Sequence, residues 1–281
     1  MTDYNYSVIV PYRDKYDLFI KAIDSIPDRE DIQIIIVDNS LEHLSINDKI
    51  PVKRSARVDY TTSSTTKGAG CARNVGLSHV RGLYTLFLDA DDYFTHDAFS
   101  AFDRYLNEDY DIVFFNTYSI RLSDGKESNR HIYYSKCVTE WISTHDESRI
   151  RYRWAGPIAK MYRSAFVLEG NFQFEEKPVH NDAWFSLMTG HSASRVYADE
   201  SVVYVITEAC TGQSLTKTVT RDNAYLRYCT RIKINQFLKT VGRYDMRIRL
   251  LGSLRYALTH FGIVEVLRYL WTAHKNKIGV F

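Results

Sequence analysis

Between residues 6 and 120, runs of β-branched and aromatic residues alternate with segments whose apolar residues recur at helical spacing, and this alternation leaves few folds open. "YSVIVP" (6–11), "DIQIIIVDNS" (31–40), "YTLFLDA" (84–90) and "DIVFFNTYSI" (111–120) are near-continuous apolar runs, the pattern of strands buried on both faces. Between them, "DKYDLFIKAIDSI" (14–26), "GAGCARNVGLSHV" (68–80) and "THDAFSAFDRYL" (95–106, with Thr95 as N-cap) read as helices. Parallel neighbours can be joined only by a crossover of about a dozen residues, so the alternation predicts an α/β fold on a parallel sheet. In such sheets ligands bind beyond the carboxyl ends of the strands. Tyr12, Arg13, Asp38, Asn39, Asp89 and Asp91 stand at those ends and are expected to share one rim.

After residue 121 the pattern loosens. "SDGKESNR" is a loop, "HIYYSKCV" reads as an antiparallel strand, and "WAGP" breaks the stretch from Trp141 to Arg163. "VHNDAWFSLMTG" (179–190) has Ala183, Leu187 and Gly190 on one helical side, and "SVVYVIT" (201–207) is a late strand. The rest is helical: Met246, Leu250, Leu254, Leu258 and Phe261 form one apolar stripe, and Ile263, Leu267, Leu270 and Trp271 begin another. The expected organisation is a main domain over 1–220, divisible at about residue 120, with a helical extension over 221–281.

A net charge of +2 hides an asymmetry. From Arg227 onward 11 Lys and Arg face two acids, Asp245 and Glu265, which makes that tail +9 and the preceding 226 residues −7. An anionic partner is expected for the tail. A basic amphipathic helix suits an anionic membrane surface, each basic residue contributing about 1 kcal/mol near the headgroups. Packing of Leu250, Leu254 and Leu258 on the main domain, or on another subunit of a homo-oligomer, accounts for the stripe equally well. Nucleic acid is a weaker partner for the tail and is not expected, because no helix-turn-helix or aromatic-basic motif is evident and the acidic body would repel a phosphate backbone. The four cysteines, Cys71, Cys137, Cys210 and Cys229, include no C-x-x-C pair and read as free thiols in a reducing cytoplasm. No secretion signal and no run of about 18 apolar residues is expected to take the chain into or across a membrane.

The sharpest chemical feature is "LFLDADDYF" (86–94). In extended backbone, residues two apart point the same way, so Asp89 and Asp91 face a common point while Ala90 turns back. Left alone, the two carboxylates repel; a divalent cation reverses that, and Mg2+ or Mn2+ held by one or two carboxylates completes its shell from substrate phosphates. A solvated loop capping the next helix is the alternative. A haloacid-dehalogenase nucleophile is a poor match, because its D-x-D-x-T follows the first strand. "TTKGAGCARNVG" (65–76) lacks the third glycine of a dinucleotide fingerprint, since Arg73 stands there. It reads instead as a helix start where Lys67 and Arg73 favour an anion, or as glycines used for helix packing.

In this order and spacing, "VIVPYRD", "IIIVDNS", "KGAGCARNVGL" and "LFLDADD" resemble the nucleotide-sugar-binding half of family 2 glycosyltransferases of bacterial surface-polysaccharide type, which have the GT-A fold, a Rossmann-like sandwich. "WAGPIAKMYRSAFVLEGNFQFEE" and "HNDAWFSLMTG" resemble the segment before the catalytic acid and the helix that carries it, so the likeness covers roughly 6–215. The resemblance makes 1–120 the donor half and 121–220 the acceptor half. It implies that Pro11, Tyr12 and Arg13 border the base, Asp38 bonds base or ribose, and Lys67, Arg73 and Asn74 line the nucleotide pocket. Asp89, with Ala90, would meet ribose or sugar, Asp91 would ligate Mn2+ or Mg2+ with Asp89 beside it, and Asp92, pointing the other way, would anchor the following turn. Asp182 would be the general base. Two departures stand out: Asn181-Asp182 replaces the usual Glu-Asp, and Arg13 stands where Asn is common.

Trp154, Asn181 and Trp184 are weaker candidates for acceptor contacts, and His180 and His191, flanking the base, for a further metal ligand. The expected activity is single-displacement, inverting transfer of a hexosyl or N-acetylhexosaminyl group. Its donor is a nucleotide sugar, UDP-linked by resemblance with dTDP and GDP open, and its acceptor a glycan or lipid-linked glycan. The setting is cytoplasmic, on the inner face of the membrane. Two other readings remain at this level. A sugar-phosphate nucleotidyltransferase would need a Gly-rich loop where "PYRDKYD" stands; an inactive carbohydrate- or membrane-binding scaffold would have no use for both Asp91 and Asp182.

Overall fold

The computed structural model describes residues 3–14, 16–40, 55–64, 68–208 and 220–280. Its first half runs β1 (Tyr4–Tyr12), α1 (Tyr16–Asp24), β2 (Ile32–Asp38), β3 (Arg57–Thr62), α2 (Gly68–Leu77), β4 (Gly82–Phe87), β5 (Tyr93–Phe94), α3 (Ala98–Asp103) and β6 (Ile112–Arg121). The second half runs α4 (Ile132–Thr144), α5 (Ser148–Tyr152), β7 (Lys160–Arg163), α6 (Ser164–Glu169), α7 (Ala183–Ser192) and β8 (Val196–Glu208). Three long helices follow, α8 (Arg221–Thr240), α9 (Leu251–Phe261) and α10 (Ile263–Lys275).

The strands form one sheet in the order β3-β2-β1-β4-β7-β6-β8-β5. Four of them, β3 to β4 across the sheet, are parallel, as the crossovers demand. The expectation that β6 extends this parallel set is corrected: β7 lies between β4 and β6 and pairs antiparallel with both. β7 was not anticipated because its four residues, "KMYR", are too short to show a period. The edge strand β3 was missed for a different reason, its polar and half-exposed "RVDYTT".

"HIYYSKCV" is helical, not a strand: Cys137, Val138 and Trp141 share the buried side of α4, so the i, i+1, i+4 spacing prevails over β-branched content. Thr95 is no helix cap. Its hydroxyl donates to the Val202 carbonyl and its amide to Val203, which ties it to β8, and α3 begins at Ala98.

One hydrophobic cluster fills both faces of the sheet, from Tyr6 to Ile206. A second, of Tyr228, Ile232, Leu250, Leu254, Ala257, Tyr269, Ala273 and Ile278, is built by the last three helices among themselves. A third joins the two: Ala183 and Leu187 of α7 meet Ile234 and Leu238 of α8. The predicted tail stripe is thus half right, since Leu250 and Leu254 are buried but Leu258 is exposed. On α10 the apolar stripe faces outward. Tyr269 takes the inner side, stacked on Tyr228 at 4.3 Å, its carbonyl accepting from the Tyr228 hydroxyl. No helix among the described residues is long and apolar enough to cross a membrane.

Candidate active site

Parallel register sets the tip of β1 against that of β2, with Tyr12 opposite Asp38. Asp38 is fully buried, and its carboxylate accepts from the Tyr60 hydroxyl at 2.7 Å and from the Ser40 amide at 2.8 Å. Burial, then Asp38, holds the Tyr60 phenol well above its ordinary pKa. Tyr12 is buried against Phe19, whereas Pro11 and Arg13 are partly exposed, Arg13 lying 3.6 Å from Asp14.

Beyond β4, the Asp89 amide donates to the Tyr204 hydroxyl, which itself donates to the Asp92 carboxylate, both at 3.0 Å. The Thr207 amide donates to the other Asp92 oxygen at 2.7 Å, and the Thr207 hydroxyl to the Asp91 carbonyl. Asp92 therefore pins the turn to β8. Burial, with Asp91 and Asp89 adding to it, keeps its carboxyl well above the carboxylate range. Asp89, Ala90 and Asp91 remain partly exposed on the rim. Tyr204, which sets this turn, carried no sequence signal, since it reads as one more apolar strand residue.

Arg73 links the rim to the second half of the chain. Its buried guanidinium donates to Asp89 at 2.6 Å and to Asn181 at 3.1 Å, and lies 5.3 Å from the Phe174 ring centroid. Burial works against the charge, but Asp89 and Asp182 outweigh it and leave the pKa raised. The glycines of "GAGCARNVG" serve close approach: a Cβ on Gly70 would sit 2.2 Å from the Glu175 carbonyl oxygen, and Gly68 has φ +73°. This favours the packing reading of that motif. Lys67 lies outside the described residues.

Asp182 stands at the N-terminus of α7, half-buried. Burial pushes its carboxyl above the ordinary range; Arg73 and Lys160 oppose that shift and Asp89 adds to it. A Cβ on Gly156 would lie 3.4 Å from the Tyr134 hydroxyl and 3.8 Å from Asp182 Oδ2, so the glycine of the "WAGP" break keeps space beside the carboxylate. Lys160 on β7 is 2% exposed, and its ammonium finds no hydrogen-bond partner among the described residues. The rings of Phe114, Tyr162 and Trp154 lie 5.1, 5.7 and 5.9 Å away. Burial pulls its pKa down to about 7, with Asp182 and Cys137 pulling the other way. A charged residue inside the apolar "PIAKMY" was the signal that sequence reasoning passed over.

Several expected contacts are used up elsewhere. The Asn74 amide exchanges two hydrogen bonds with the Phe174 backbone, at 3.0 and 2.8 Å. Trp154 is corrected from acceptor contact to core, being 1% exposed with its indole donating to the Ile158 carbonyl. Trp184 is covered by α8, with Lys233 at 3.8 Å over its ring and Phe237 at 5.6 Å. Asn181 is buried and faces Arg73 and the Lys177 carbonyl. His180 is pushed down to about 4 by burial and by Arg227, Arg231 and Lys177, while the His191 ring meets Tyr152 and Phe237. Those surroundings disfavour a cation at His180.

The family model of glycosyl transferase family 2 matches residues 7–168. A glycosyltransferase of Streptococcus pneumoniae, GlyG, is 28% identical over 188 residues, 64% of this chain and 59% of its own length. An uncharacterised glycosyltransferase of Rickettsia bellii is 29% identical over 129 residues, 45% of this chain and 18% of that longer protein. S. aureus TarS 1–349, solved with UDP-GlcNAc, superimposes with a TM-score of 0.72 at 18% identity, covering 97% of this chain and 80% of that one. The mannosyltransferase PcManGT of Pyrobaculum calidifontis, solved with GDP-Man and Mn2+, gives 0.52 at 15%, covering 96% and 80%. At these identities the likeness is one of fold, the GT-A fold.

Proposed function

Because this chain belongs to glycosyl transferase family 2, we propose that it moves a sugar from a nucleotide diphosphate sugar to an acceptor hydroxyl, with inversion at the anomeric carbon. The observation that carries this reading is the placing of Arg73. Its buried guanidinium bonds Asp89 at the donor rim and favours the charged form of Asp182, so one fixed cation acts on both proposed poles of the displacement. Residues 1–120 supply the donor pole and 121–220 the acceptor pole in this account, and 221–281 is the extension.

Asp182 takes the acceptor proton. Its raised pKa brings it nearer to working pH, which strengthens a general base as long as it stays ionised, and Arg73 favours that charged form. The gap at Gly156 leaves room for an acceptor hydroxyl beside Oδ2. Pro11, Tyr12, Arg13 and Asp38 flank the base and ribose, and Asp89 the ribose or sugar.

The donor set at the rim fits Mn2+ or Mg2+. Asp89 and Asp91 offer hard oxygens, and among the described residues no group of three or more His, Cys, Asp or Glu side chains converges into a full cage. One or two carboxylates, completed by donor phosphates and water, is how such ions are commonly held. Bound there, the ion would neutralise charge on the departing diphosphate. Asp91→Ala is expected to abolish metal-dependent binding of the nucleotide donor in calorimetry, while unchanged affinity would remove Asp91 from that role.

The UDP-GlcNAc and UDP complexes of TarS favour UDP as the nucleotide and a hexosyl or N-acetylhexosaminyl group as cargo. The acceptor is a glycan or lipid-linked glycan of the cell surface, and the setting the cytoplasmic face of the membrane. The outward stripe of α10 and its basic neighbours support that placement: Ile263, Val264, Leu267 and Trp271 are exposed, and Lys275 lies over the Trp271 ring.

A further inference from the structure

Where the end of α5 meets the stretch between α8 and α9 is a cavity of about 710 Å³, lined by Arg153, Tyr244, Asp245, Arg247 and Arg249. Its one acid is already neutralised: Asp245 pairs at 3.2 Å with Arg243, which is not in the lining. Arg153, Arg247 and Arg249 pair with no carboxylate among the described residues. Two of the three are held in place. Arg153 donates to the Arg247 carbonyl at 3.0 Å, and the Arg247 guanidinium lies 5.1 Å from the Tyr244 ring centroid. Like charges gathered without a counter-charge cost free energy, which an anion bound among them relieves, and planar guanidiniums match phosphate oxygens with paired donors.

What adjoins the cavity indicates the source of the anion. Arg249 is exposed and stands two residues before Leu251, a Cα separation of at most about 7 Å. Leu251 opens α9, and Leu251, Arg255 and Leu258 follow one another at i, i+4 and i+7, so they share one face of that helix. All three are exposed, Leu251 by 54% and Leu258 by 51%, and Arg255 too pairs with no carboxylate among the described residues. A free phosphate has no use for an apolar line beside its site, whereas a phospholipid carries a phosphate and acyl chains in one molecule. From Arg227 onward the two acids, Asp245 and Glu265, are each paired with an arginine, which removes the charges that would oppose an anionic lipid. The volume is that of a small-ligand pocket and accommodates a phosphate with its glycerol.

We propose that the arginine cavity is a headgroup site for an anionic phospholipid, whose acyl chains leave along the Leu251–Leu258 face of α9. This rests on the reading that the extension meets the membrane. It adds a defined site with headgroup selectivity, which the apolar stripe of α10 does not supply by itself.

Dihexanoyl phosphatidylglycerol, kept below its micelle-forming concentration, is titrated calorimetrically into the full chain with EDTA present, which removes metal-dependent phosphate binding at the donor rim. The wild type is expected to bind, and Arg247→Gln and Arg249→Gln each to weaken binding about tenfold, the loss of one charge-assisted contact. The Arg249 side chain makes no hydrogen bond or ion pair among the described residues, so its replacement leaves the fold intact. Dihexanoyl phosphatidylcholine and inorganic phosphate are expected to bind about tenfold more weakly or worse, the first for want of net charge and the second for want of acyl chains. No binding by the wild type, unchanged affinity in both arginine variants, or phosphatidylcholine or inorganic phosphate binding as tightly as phosphatidylglycerol would each overturn the proposal. Flotation with phosphatidylglycerol liposomes separates its failure from that of the membrane reading. A wild type that does not float, with soluble-lipid binding still lost in the arginine variants, keeps the cavity and sinks the membrane placement. A wild type that floats, with arginine variants that bind the soluble lipid as it does, keeps the placement and sinks the cavity.

Discussion

Lys160 and Asp182 are opposite charges that do not form a salt bridge, yet each moves the other's titration. Burial pushes Asp182 up, and the Lys160 ammonium opposes that shift, so below about pH 7, where Lys160 is charged, it helps keep the base ionised. Removing the charge with Lys160→Met should move the acid limb of the kcat/KM profile to higher pH, with Lys160→Arg restoring it. Stability should change in the opposite sense. The folded-state pKa of Lys160 lies below its unfolded value, so the cost of the buried ammonium is full below about pH 7 and fades as pH rises from there. Lys160→Met is thus expected to raise Tm more at pH 6 than at pH 9; an unmoved acid limb would contradict the coupling. Sequence made Asp89, Asp91 and Asp182 legible because they sit where strands and helices end. Lys160, Tyr204 and Gly156 were not legible, since their importance lies in which side chains other segments bring to them.

At the level of elements, what could be read depended on burial. β1, β2 and β4 are covered on both faces and announce themselves as apolar runs, whereas edge strand β3 mixes Arg57 and Asp59 into its pattern. In α10 the apolar stripe was seen correctly but its direction could not be, because Tyr269 competes for the inside by stacking on Tyr228. The outward face is the consequence, with Val264 76% and Trp271 62% exposed. The one acid of the helix, Glu265, is buried and paired with Arg268, so nothing on this face repels an anionic surface. Double substitution of Leu267 and Trp271 by Glu should abolish flotation with phosphatidylglycerol liposomes while sparing the fold, because neither side chain is buried. Flotation equal to that of the wild type would leave the stripe to a protein partner.

Across the whole molecule, charge and topology divide the work. The acidic body holds the sheet, whose parallel half ends in the Asp38 and Asp89 rim, and the antiparallel insertion of β7 carries the chain back to where α7 can present Asp182 beside Arg73. The basic extension packs on α7 through Ile234 and Leu238, and so on the helix that in the proposed reading carries the general base. The alternation of strands and helices foretold the first half of this arrangement. It could not foretell β7, whose four residues join β4 to β6 on the way to the proposed meeting of the two poles. That meeting is the central claim, and it is tested most directly by measuring sugar transfer and donor affinity together in Asp182→Asn. Loss of the base should lower turnover by about 10²–10⁴-fold with donor affinity kept, whereas turnover near that of the wild type would show that the acceptor proton goes elsewhere.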